Sequence, residues 1–315
     1  MKHLRNLAIV FCIFGFGAWL LLSGAVESSK EPLMVPNRDK LKVDAKAQRE
    51  LLSMFEEFGK RAQQLGEDES DTTKQWEEFD AKRLRELRQF MSKYPDAQSL
   101  LTAILAYANV VSDLPEEHPT VFEAFGKLRR EHPESWQAQF LGKFEARLLS
   151  SPAHKKTDAR VIEESKKQVP GEDFMAREIR VDVVEKDLRK KLDLDAIKIL
   201  KAALPEKEPI IDCIDWKDPE LKALGKLTGV QSLPPLRAGY LLAIAGYEYN
   251  MVGNYGATNR VEATAYRLQW YEKAKKSYER VIQEYPGSEA AKQASKVIST
   301  IELELSLKAE PAQKK

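Results

Sequence analysis

Asp212, Asp215 and Asp218 stand at three-residue steps, so a helix would put all three carboxylates on one face and a loop could turn them inward as hard oxygen ligands. A calcium loop also needs a glycine turn and further oxygen donors. Neither accompanies them, and a solvated acidic turn is the favoured reading. Of the four histidines, His3 lies in the N-terminal segment, His118 and His132 directly precede prolines, and His154 lies in a basic loop. Nucleophile elbow, phosphate loop, zinc-binding histidine pair and EF-hand loop are all missing, and their spacings are mechanical requirements of the chemistry. The expectation is a chain that is not an enzyme, with no catalytic residue, no metal and no cofactor. A hydrolase whose site lies in residues 150–236, built on Asp212 and Asp215, is the alternative.

Fifty Lys and Arg against forty-nine Asp and Glu leave a net charge of +1, and no overall field draws the chain to nucleic acid. The basic clusters are Lys155 with Lys156, then Arg189, Lys190 and Lys191, then Lys273, Lys275 and Lys276. Each has acids nearby, which suits solvated helix faces. Cys12 and Cys213 are too few for a disulfide framework; Cys213 reads as a small core residue.

Lys2 and Arg5 precede an apolar run over residues 7–22, which Ser23, Gly24 and Ala25 follow. Two readings stand. The small residues suit signal-peptidase cleavage, whereas residues 7–26 are long enough, at about 1.5 Å per residue, to cross a hydrocarbon core of about 30 Å. Residues 1–26 are therefore a signal anchor or signal peptide, the anchor being favoured. Either way the positive charge before the run and Glu27 and Glu31 after it place the body outside the cytoplasm, in the periplasm or cell envelope.

Residues 27–40, with Pro32 and Pro36, read as a tether. From residue 41 apolar side chains recur at three- and four-residue steps: Leu51, Leu52, Phe55, Phe58, Ala62 and Leu65, then Trp76, Phe79, Leu84, Leu87 and Phe90. Three prolines then share a frame. Eight residues before Pro95, Pro133 and Pro286 stand Leu87, Phe125 and Tyr278; five before stand Phe90, Leu128 and Val281; directly before stand Tyr94, His132 and Tyr285. Ala97, Ser135 and Ser288 follow by two, and Ala103, Leu141 and Ala294 by eight. The pattern predicts helical hairpins that stack to bury a stripe neither helix could bury alone. His132 fills a slot otherwise held by tyrosine, which favours packing over a metal or proton-transfer role. Residues 174–190 carry helical and strand periodicities at once, with helix favoured; further short helices are expected at 196–204 and 219–227.

Leu242, Ala245, Gly246 and Tyr249, followed by Ala274, Tyr278 and Pro286, resemble the tetratricopeptide repeat (TPR), with a gap between Tyr249 and Ala274 about sixteen residues longer than usual. The likeness is to TPR proteins of the bacterial cell envelope, best over residues 237–305 and weaker over 76–149. It implies an all-α arc of TPR-like hairpins and an interaction scaffold for another envelope protein. The expected organisation is a helical region with degenerate repeats over 41–149, an irregular connector over 150–236, a TPR-like domain over 237–307 and a disordered tail over 308–315. The repeat register would place Tyr240, Ala243, Tyr247 and Asn250 on the concave face, with Tyr240, Tyr247 and Asn250 as groove residues; packing between repeats is the other reading of the tyrosines. Ala243, where clamp-type repeats hold a carboxylate, argues against a peptide C-terminus as ligand. Homo-oligomerisation through helix 41–65 is a third way the chain could work.

Overall fold

The computed structural model describes residues 32–67, 73–151, 158–207, 218–227, 235–254 and 260–309. Eleven α-helices and no strand occur among them: α1 (Ala45–Glu67), α2 (Thr73–Lys93), α3 (Ser99–Val110), α4 (His118–Glu131), α5 (Trp136–Leu149), α6 (Ala159–Lys166), α7 (Phe174–Ala203), α8 (Pro219–Leu227), α9 (Leu236–Asn250), α10 (Arg260–Glu284) and α11 (Glu289–Ala309). The all-α expectation holds. No helix among the described residues is long and apolar enough to cross a membrane, and the apolar segment 7–26 lies outside them.

The three proline corners are built alike. The amide of the ring residue closes the last helical turn in each: Tyr94 onto the carbonyl of Phe90 at 3.0 Å, His132 onto Leu128 at 2.8 Å and Tyr285 onto Val281 at 3.0 Å. Proline has no amide to continue the ladder, and the chain turns back. The amides of Ala97, Ser135 and Ser288 then bond the carbonyls of Tyr94, His132 and Tyr285 at 3.2, 3.0 and 3.2 Å. Ser135 and Ser288 cap the next helix, each hydroxyl accepting from the amide three residues on at 3.1 Å. Ala97 cannot cap. Its corner is pinned instead by Lys42, whose amide donates to Asp96 O and whose carbonyl accepts from Gln98 N. The positions eight and five before and eight after each proline are all buried.

Consecutive helices pack as hairpins, α2 on α3, α4 on α5, and α9, α10 and α11 in succession. Two apolar clusters result. The larger gathers α1 to α5 with Leu221 and Leu224 of α8 and Leu236, Tyr240 and Ile244 of α9; the smaller gathers the other buried apolar residues of α9 with α10 and α11. Ala196 and Leu200 of α7 belong to the first and Ile197 to the second, so one face of that helix splits between the two cores.

Three expectations change here. Residues 174–203 form one thirty-residue helix, in place of separate short elements inside an irregular connector. Residues 32–40 are docked and are no free tether: Leu33 is buried, and His132 Nε2 donates to the Pro36 carbonyl at 2.7 Å. The apolar stripe of α1 packs inside the chain, with Leu51, Phe55, Phe58 and Leu65 all in the larger cluster. At the C-terminus α11 continues to Ala309, two residues into the expected tail.

Candidate partner-binding surface

Helix α9 lies between α5 and α7 on one side and α10 on the other, and this settles where the expected groove residues stand. Tyr240 is fully buried. Its hydroxyl donates to the Gln139 carbonyl of α5 at 2.7 Å, and burial pushes the phenol up to about 12. It is therefore a packing residue, contrary to the groove expectation. Tyr247, two turns on, is half-buried, its hydroxyl 2.6 Å from Ser150 Oγ just past α5; burial raises its pKa. Asn250 ends α9 and is exposed, and Ala243 is half-buried. Tyr240 and Tyr247 thus share one stripe, as their spacing requires, but the stripe faces the neighbouring helix.

The back of α9 carries a group the sequence reading missed. Glu248 is buried, accepting from Ser277 Oγ of α10 at 2.5 Å and paired with Lys201 Nζ of α7 at 3.1 Å. A carboxylate in the interior must find donors, and these two join three helices. Beside it Asn254 Nδ2 donates to the buried Asp193 of α7.

Of the three aspartates, Asp212 and Asp215 lie outside the described residues. Asp218 caps α8: its Oδ1 accepts from the amides of Glu220 at 2.8 Å and Leu221 at 3.1 Å, and its Oδ2 accepts from Trp136 Nε1 at 3.1 Å. This cap directs Glu220 inward. Ser99 Oγ and Thr102 Oγ1 of α3 each donate to its carboxylate at 2.5 Å, and Gln137 Nε2 of α5 braces Thr102 Oγ1 at 3.0 Å. Burial pushes the Glu220 carboxyl above its ordinary 4.5, the two hydroxyls opposing the rise. A cleft of about 190 Å³ runs beside this cluster, with Asp44, Gln48 and Gln98 on its far wall. Asp44 caps α1 through the Lys46 and Ala47 amides, which hold its carboxyl below the usual range. Among the described residues no group of three or more His, Cys, Asp or Glu side chains is arranged to hold a metal ion.

His118 is buried, with Nε2 2.9 Å from the Val111 carbonyl. A carbonyl only accepts, so the Nε2 tautomer carries the proton, and burial lowers the pKa below 6.5. His154, Lys155 and Lys156 lie outside the described residues. Lys275 pairs with Glu302 at 2.7 Å, Lys273 Nζ sits 4.2 Å from the Trp270 ring centre, Lys190 Nζ sits 5.2 Å from that of Tyr266, and Arg189 meets Glu185 at 3.4 Å. Among the described residues these basic side chains thus have aromatic and acidic neighbours. Compared with known proteins, the chain matches no family model, no curated protein and no solved structure.

Proposed function

We propose that the chain is a non-enzymatic interaction scaffold of the cell envelope, of TPR-like build, which presents the exposed end of α9 at Asn250, beside the half-buried Tyr247, to another envelope protein. One observation carries the reading. Three corners far apart in the sequence, at Pro95, Pro133 and Pro286, repeat the same hydrogen-bonded turn with buried residues at the same offsets, as a hairpin-repeat scaffold requires. The placement outside the cytoplasm rests on the apolar run of residues 7–26 behind Lys2 and Arg5.

Two measurements test it. A reporter enzyme that works only outside the cytoplasm, fused after residue 309, is expected to be active, and an inactive fusion of normal abundance counts against the compartment. A photo-crosslinker in place of Asn250 is expected to trap one discrete envelope protein, and Asn250→Lys, in the chain without the crosslinker, to abolish co-purification of that protein with the fold unchanged. A crosslinker that traps nothing at Asn250 retires the surface.

A further inference from the structure

Helix α8 is nine residues long, too short to hold a helix in water alone, so its helicity depends on the seat it occupies against α1 and α3. That seat recognises chemistry as well as shape. Leu221 and Leu224 enter the larger cluster, and between the leucines and the Asp218 cap the Glu220 carboxylate reaches the two hydroxyls of α3. No lysine or arginine among the described residues is paired with Glu220. A buried carboxylate met by two hydroxyls and the Gln48 side chain adds little strength of its own, because desolvation offsets much of what the hydrogen bonds return, but taking it away strands those buried donors. The cluster therefore supplies register and selectivity more than strength. The seat is also underfilled, for the cleft of about 190 Å³ stays open beside Asp218 and Glu220, and Val43 at its rim is 85% exposed.

We propose that the surface where α1, α3 and α5 meet is a binding groove for a helical segment of a partner protein, and that α8 occupies it in the free chain as an intramolecular stand-in. The partner segment opens on an aspartate or comparable side-chain cap, carries a carboxylate two residues on, and places leucines three and six residues beyond the cap, as Asp218, Glu220, Leu221 and Leu224 do. Ser99 and Thr102 receive its carboxylate, Trp136 its cap, and side chains bulkier than those of α8 fill the open cleft beside Val43. Occupation by α8 reduces the partner's apparent affinity by the fraction of time the groove is open. This surface is distinct from Tyr247 and Asn250 and does not depend on where in the cell the chain works.

The probe is a fluorescein-labelled peptide with the sequence of residues 215–229, titrated with the full chain and with its Leu224→Asp variant, in which a charge displaces α8 from the apolar contact. The variant is expected to bind the peptide at least about tenfold more tightly than the wild type, and Glu220→Ala within the peptide to lose about tenfold. Equal affinity of both chains for the peptide, or indifference to Glu220→Ala, overturns the proposal. Should Leu224→Asp lose its helical circular dichroism, amide exchange of the wild type decides. The α8 amides are then expected to exchange at least about tenfold faster than the cores of α1 and α3, and exchange of all three as one unit overturns it.

Discussion

Tyr240 rests against the bare α-carbon of Gly142, and the two residues together set how closely α9 approaches α5. A β-carbon at position 142 would lie 2.8 Å from Tyr240 Oη, 3.0 Å from Tyr240 Cε1 and 2.5 Å from Ala203 Cβ of α7. Three helices converge on that one missing methyl. Gly142→Ala is expected to cost about 1–3 kcal/mol, because the two neighbours it strikes belong to different helices and cannot both yield without parting them. Gly126→Ala is the contrasting case: its nearest neighbour is the end of the Arg130 side chain at 3.5 Å, and the change should stabilise by up to about 1 kcal/mol through helix propensity. Urea denaturation of both variants measures this, and equal midpoints would contradict it.

Glu220 makes the seat of α8 depend on pH. Burial raises its pKa above 4.5, so the folded chain holds that proton more tightly than the unfolded chain does. Stability linked to this group is therefore greatest below 4.5 and is lost as pH rises through the folded pKa. Glu220→Gln keeps a hydrogen-bonding group beside Ser99 and Thr102 and removes the ionisation. The variant is expected to melt higher than the wild type at pH 8, with the gain gone at pH 4. A loss of the same size at both pH values would show that the carboxylate itself is required.

Much of the architecture was legible because proline and periodicity act locally. The three corners follow from a residue that cannot donate an amide, and the bounds expected for the short helix at 219–227 are those of α8. Tyr240 was misassigned for a physical reason. Spacing tells which residues share a stripe of α9, but α9 is covered on two sides, and no local pattern says which stripe meets a neighbour. The Glu220 cluster was out of reach altogether, since Ser99 and Thr102 stand 121 and 118 residues away from it. The length of α7 was hidden because its charged first half and its buried second half present different periodicities to a reader of the sequence.

The carboxylate of Glu117 ties the first hairpin to α4. Its Oε2 accepts from Arg88 Nη2 of α2 at 3.1 Å and from the Tyr107 hydroxyl of α3 at 3.0 Å, while Arg88 also donates to that hydroxyl and stacks 4.9 Å from the ring centre. Burial raises the Tyr107 pKa, so the phenol stays neutral and keeps its proton for Glu117. Glu117→Ala removes the carboxylate that balances the Arg88 charge and accepts from Tyr107, and is expected to cost about 3 kcal/mol, whereas Glu117→Gln keeps an acceptor and should cost about 1 kcal/mol. Urea midpoints for the two variants, with Arg88→Met completing a double-mutant cycle, measure the coupling. Additive losses would mean that the three groups do not act together.

Lys143 stands half-buried on α5 with its Nζ 5.7 Å from the Phe140 ring centre, and burial alone pushes its pKa down to about 8. Near pH 8 about half of its amine is uncharged, a state that a solvated lysine of pKa 10.5 reaches only in alkali. Two consequences differ in sign from ordinary lysines. The rate of acetylation at Lys143, read by mass spectrometry of peptides, should level off just above pH 8 while the surface lysines keep gaining through pH 10; a Lys143 profile parallel to theirs would contradict the lowered pKa. The unfolded chain keeps the proton that the folded chain sheds between about 8 and 10.5, so stability should climb over that interval. Lys143→Met should flatten the climb, because it removes the group that titrates.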